Sequence, residues 1–169
     1  MFRDELGMID ESIHHYRTAL FLEKDSEEAF TIAMNLAKAY FMKRDFENAR
    51  QTAQKAIGFF NDCEYTREEY IGCAKYTPVR LAEWAWIEVC LGNIEKGIAM
   101  FESMDQYLRC RQCRRKKCFD KCAHLAEVYT ALGNEEMAVH YWEEALERNP
   151  DMLYALIRLN RIKKKRTLF

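Results

Sequence analysis

Apolar residues recur at three- and four-residue intervals through most of the chain, in short runs that come two by two. That period belongs to amphipathic helices with one dry face. Leu36, Ala37 and Tyr40 mark one helix and Ala49, Ala53 and Ala56 the next. Leu81, Trp84 and Ala85 are followed in the same way by Gly97, Phe101 and Met104, and Leu125, Ala126 and Tyr129 by Ala138, Trp142 and Ala145. A single run, Ile13, Tyr16, Ala19 and Leu20, predicts a helix over 10–23 with no companion ahead of it. Met152, Ala155, Leu156 and Leu159 predict a last, inward-facing helix after Pro150. Asp45 and Asp151 are placed to cap helices, and Thr77-Pro78 to open one.

Aligned on the turn inside each pair, Gly7, Arg44, Gly92 and Gly133 become equivalent, with gaps of 37, 48 and 41 residues. The last pair is the most regular. Leu125, Ala126, Tyr129, Ala138, Trp142, Ala145 and Pro150 follow the spacing L-G-x2-Y…A-x3-F…P, with Ala126 for Gly and Trp142 for Phe. This stretch resembles a tetratricopeptide repeat, a helix–turn–helix unit of ~34 residues. The resemblance implies one all-α domain, an α-solenoid of antiparallel helix pairs. Its expected parts are a partial repeat over 1–26, repeats over 30–63, 78–111 and 119–152, and a capping helix over 151–166. The gaps exceed ~34 by 3, 14 and 7 residues, placing insertions near 27–29, 64–77 and 112–118. Glu88 stands where the other pairs have Tyr40 and Tyr129, an irregularity in local packing. A first helix without its companion points to a longer protein, or to a homo-oligomer formed there.

The insertions carry the chemistry that the repeat does not need. Thr66-x-x-Glu69 is a capping box and predicts a short extra helix. The last insertion holds Cys110, Cys113, Cys118 and Cys122: a C-x2-C hook, then a pair four apart that shares a helix face. Four thiolates at that spacing suit one structural zinc with no open coordination position. Arg109, Arg111, Arg114, Arg115, Lys116 and Lys117 would lower the thiol pKa values and offset the excess negative charge. Unliganded thiols, a disulfide or redox switch, and an iron–sulfur cluster are the alternatives, and Cys122 also falls where the repeat expects a packed residue. Cys63 and Cys73 read as free thiols acting as small hydrophobes.

Only two prolines and six glycines interrupt a chain whose residues are 49% apolar, which supports helix throughout. A formal charge of −1 disfavours a protein built to neutralise phosphates. An acidic N-terminus and the lack of a long apolar run predict a cytoplasmic protein with no membrane partner. The nucleotide and hydrolase motifs G-x-x-x-x-G-K-[ST], G-x-S-x-G and H-E-x-x-H do not occur, so no enzyme is expected. The resemblance implies instead a scaffold that binds a peptide or helix of a partner protein in a concave groove. By alignment Thr31, Met34, Asn35, Lys38, Phe41 and Met42 line that groove, continuing through Glu83, Trp86, Asp120, His124, Glu127 and Thr130. A tetratricopeptide subgroup grips peptide C-termini with Lys, Arg and Asn; only Asn35 and Lys38 match, while Glu83, Asp120 and Glu127 favour a ligand with apolar and basic residues. The alternative is a sensor, dimerisation or nucleic-acid-contacting module of a larger regulator, with Arg109–Lys117 and Arg158–Arg166 as phosphate contacts.

Overall fold

Three turns of one geometry set the register of the chain. Arg44 (φ 67°), Gly92 (φ 95°) and Gly133 (φ 78°) adopt left-handed backbone at the three points where sequence alignment places a turn. After each, an amide reaches back to a helix carbonyl: Asp45 N–H to Tyr40, Asn93 N–H to Glu88, Asn134 N–H to Tyr129, all 2.9 Å. This closure satisfies carbonyls that the helix end leaves unpaired. Glycine takes such a backbone without strain, whereas Arg44 does so against its own Cβ.

The computed structural model describes residues 2–72, 77–106 and 119–168. Its helices are α1 (Phe2–Leu22), α2 (Ser26–Met42), α3 (Phe46–Asn61), α4 (Arg67–Gly72), α5 (Thr77–Cys90), α6 (Ile94–Ser103), α7 (Phe119–Ala131), α8 (Glu135–Arg148) and α9 (Leu153–Thr167), with a 3-10 turn at Met104–Gln106. Among the described residues there is no strand. α2 with α3, α5 with α6, and α7 with α8 form antiparallel pairs, and α9 closes the stack against α8. The architecture is a tetratricopeptide-like α-solenoid with a capping helix.

Small residues let each pair close. Seven positions before the turn stand Ala37, Ala85 and Ala126, and five after it stand Ala49, Gly97 and Ala138, all buried. The α5/α6 pair leaves no room for a side chain here, since a Cβ on Gly97 would lie 2.8 Å from the Ala85 carbonyl oxygen and collide with Val89. Caps start several helices. The Asp25 carboxylate accepts from the amides of Glu27 and Glu28, Asp45 from Asn48, and Asn134 from Met137. Thr66 and Glu69 exchange both bonds of a capping box and nucleate α4, whose Tyr70 packs edge-on against Phe30 and Phe60. Glu88, the irregular position, is buried and neutralised by Lys96 at 2.6 Å and by the Asn93 amide group.

A second cluster of charges, gathered on the buried Lys121, ties α6 and the 3-10 turn after it to α7 and α8. Lys121 binds Glu102 (2.8 Å) and Asp105 (2.6 Å), Arg148 binds Asp105 (3.1 Å) and Glu144, and the Tyr141 hydroxyl donates to Glu102.

Three local expectations need correction. Gly7 lies inside α1, which runs through it without a turn. Asp151 does not cap α9: it stands one position before the cap residue Met152, which makes no side-chain hydrogen bond, and the Leu153 amide is met by the Asp151 backbone carbonyl. Leu156 is exposed and Ile162 buried, so the inward stripe of α9 is Ala155, Leu159 and Ile162.

Gly97→Ala should lower stability by about 1–3 kcal/mol through overpacking against α5. Arg44→Gly should raise it by about 0.5–1 kcal/mol by relieving the left-handed backbone. Urea unfolding of the two variants checks both signs.

Candidate functional site

The concave side of the stack is narrower than an open groove because α2 touches α7 directly, over the top of α5. Lys38 of α2 reaches Glu127 of α7 at 2.9 Å. Beneath them lies Trp86 of α5, its ring 4.7 Å from the Lys38 ammonium and its Nε1–H donated to His124 Nδ1 at 3.0 Å. Phe41 and Phe101 meet the same indole edge-on. Trp86 and Phe41 are each 2% exposed. The reading of these two as surface anchors is therefore corrected, since Lys38, His124 and the touching helices cover them.

What stays open is a cavity of about 500 Å³ between α1, α2, α7 and α9. Met8, Ile9, Ser12 and Tyr16 come from α1, Asn35, Lys38, Ala39 and Met42 from α2, Glu127 from α7, and Tyr154, Ile157, Arg158 and Arg161 from α9. Four groove residues expected from sequence are thus brought together here: Asn35, Lys38, Met42 and Glu127. The others lie elsewhere. His124 stacks on Phe101 (5.2 Å) beside the buried pair, and the Thr130 hydroxyl donates back to the Ala126 carbonyl. Glu83 accepts from the Tyr70 hydroxyl at 2.5 Å, and Asp120 is exposed near the start of α7.

Glu127 carries the electrostatics. It accepts from the Tyr154 hydroxyl at 3.0 Å, and that hydroxyl in turn accepts from Arg158 Nε at 3.1 Å. Burial alone would raise the Glu127 pKa; the Lys38 charge, and then His124, overcome it and hold the carboxyl at about 2. The carboxylate is 8% exposed and already committed to Lys38 and Tyr154. Of the three acidic residues expected in the groove, Glu127 alone lines this cavity.

A family model for the tetratricopeptide repeat matches residues 121–152. That segment is a tetratricopeptide repeat. It covers α7, α8 and the Pro150 turn, the stretch in which the sequence spacing is most regular. No curated protein and no solved structure matches the chain. Tetratricopeptide repeats generally serve as protein-interaction surfaces, and among the described residues no helix is long and apolar enough to cross a membrane.

Cys110, Cys113 and Cys118 lie outside the described residues. Cys122 is fully buried with Trp142, Ala126 and Ala138, and burial pushes its thiol up to about 12. It occupies the packed position of the tetratricopeptide pattern. Among the described residues no group of His, Cys, Asp or Glu is arranged to hold a metal. The basic end of α9 is partly paired, Lys163 with Glu143 (3.1 Å) and Arg166 with Glu135 (3.8 Å).

Sequence reasoning missed the cavity residues of α1 and α9. A signal was present: Tyr154, Ile157, Arg158 and Arg161 form a second helical stripe beside the buried one, and Ile9, Ser12 and Tyr16 form another.

Folding lowers the Glu127 pKa, so the pair stabilises fully above the ordinary value of 4.5 and its contribution is lost as pH falls toward 2. The full effect is on the order of 3 kcal/mol. Urea midpoints measured between pH 7 and pH 2.5 should fall across that window. Glu127→Gln should cost about 2–4 kcal/mol at pH 7 and flatten the profile; parallel profiles for variant and parent would remove Glu127 as the cause.

Proposed function

We propose that this protein is a scaffold that binds a short extended segment of a partner protein in the cavity between α1, α2, α7 and α9. The supporting observation is the cavity itself, about 500 Å³ with both apolar and charged walls. That volume lies within the range of specific ligand sites, but a helix about 10–12 Å across needs a longer open trough. The contact between α2 and α7 removes such a trough, so the reading favours an extended segment over a helix. Met8, Met42, Ile9 and Ile157 supply adaptable apolar contact, with Tyr16 and Tyr154 as anchors that can also hydrogen-bond.

Ala39 lines the cavity. Ala39→Phe should fill it and abolish recovery of peptides from a displayed library, while leaving the thermal transition within a few degrees of the parent. Equal recovery on both proteins would end this reading.

We propose further, from spacing alone, that Cys110, Cys113, Cys118 and Cys122 hold a structural zinc, and Cys122 is the residue on which this turns. Protein purified without chelator should carry about one zinc per chain, lost in Cys122→Ala. A ratio near zero in the parent would leave four thiols and no metal.

A further inference from the structure

The charged groups on the cavity wall are already committed. Lys38 binds Glu127 at 2.9 Å, and the same carboxylate accepts from the Tyr154 hydroxyl at 3.0 Å. Arg158 donates to that hydroxyl at 3.1 Å and lies 5.4 Å from the Tyr154 ring centre, and Arg161 is engaged as well. The Ser12 hydroxyl donates to the Met8 carbonyl at 2.9 Å, and the Asn35 amide to the Thr31 carbonyl at 3.1 Å. By contrast, the Tyr16 hydroxyl makes no hydrogen bond among the described residues. The rest of the lining is apolar, and part of it stands in water: Met8 is 69% exposed and Ile157 40%.

We infer that the anchor of the bound segment is an uncharged aromatic side chain with a polar tip, Tyr or Trp, set among uncharged neighbours. A charged anchor would leave water for a wall whose own charges are matched, and burying a charge without a partner is costly. An apolar body carries no such cost, and it takes Met8 and Ile157 out of water. An aromatic ring gains over an aliphatic group here. Met8 and Met42 offer it thioether sulfurs, and Tyr16 a ring to pack against. The polar tip then gives the Tyr16 hydroxyl a partner that no described residue supplies. The inference rests on the cavity being the peptide site. It keeps the apolar half of the preference read from the sequence and drops the basic half.

The test uses the whole chain and a positional library of N-acetylated, C-amidated hexapeptides, read by fluorescence anisotropy at low and at physiological salt. Expected is enrichment of Tyr and Trp at one position, with Asp, Glu, Lys and Arg depleted there and beside it. The affinity should change by less than about twofold between the two salts, since no ion pair forms with the ligand. In a Tyr-anchored peptide, Tyr replaced by Phe should bind about fivefold more weakly. On Tyr16→Phe protein, with circular dichroism and melting temperature close to the parent's, that difference should vanish. Equal enrichment of Leu, Ile or Met overturns the aromatic anchor. Enrichment of a charged residue, or a steep fall of affinity with salt, overturns its neutrality. Either result leaves the peptide reading standing. A preference for Tyr over Phe that survives Tyr16→Phe overturns the role of Tyr16. Failure of every peptide, with Ala39→Phe indistinguishable from the parent, overturns both readings.

Discussion

The ion pair between Lys38 and Glu127 is the constraint around which the molecule closes. In a regular solenoid each repeat meets only its neighbours. Here a cation from the first full pair reaches a carboxylate of the third, so α2 and α7 are drawn together across α5. Placing two charges out of water is costly, and the arrangement tolerates it because each has further partners. Glu127 also accepts from Tyr154, and Lys38 lies over the face of Trp86 while its side chain keeps 26% of its exposure. Trp86 lies beneath this pair: an indole that an open groove would present to a ligand instead supports the two charges from below.

This closure accounts for the rest of the concave side. Once α2 meets α7, the continuous trough is divided, and the part that survives is walled by the two terminal helices. α1 and α9 therefore have a role beyond shielding the ends of the stack. α9 buries Ala155, Leu159 and Ile162 toward α8 and turns Tyr154, Ile157, Arg158 and Arg161 toward the cavity. One amphipathic helix thus serves both as cap and as wall.

Much of the fold was legible because it is local. The turns at Arg44, Gly92 and Gly133, the small residues flanking them, the Asp45 cap and the Thr66/Glu69 box each depend on residues a few positions apart, and each sits where spacing placed it. The site was legible only in part. Repeat alignment placed Asn35, Lys38, Met42 and Glu127 on the inner side, and they line the cavity, but alignment identifies the inner face of a helix and not the curvature of the stack. Curvature depends on how far apart two non-adjacent repeats settle, a long-range quantity that no periodicity records. Trp86 and Phe41 changed from ligand contacts to core for that reason. Asp151 failed on a finer point: a residue with the right side chain one position too early cannot reach the free amides of α9.

The cluster of Lys121, Asp105, Glu102 and Arg148 has a consequence for the stretch of chain that it spans. Asp105 stands two residues before the 107–118 segment and Lys121 three residues after it, and they are joined at 2.6 Å. The stack is thereby riveted shut at the base of that stretch, whatever its length or content. The side chains that hold these two elements together thus stand outside the 107–118 stretch, so the closure of the stack and the cysteine-rich sequence that it brackets are carried by different residues.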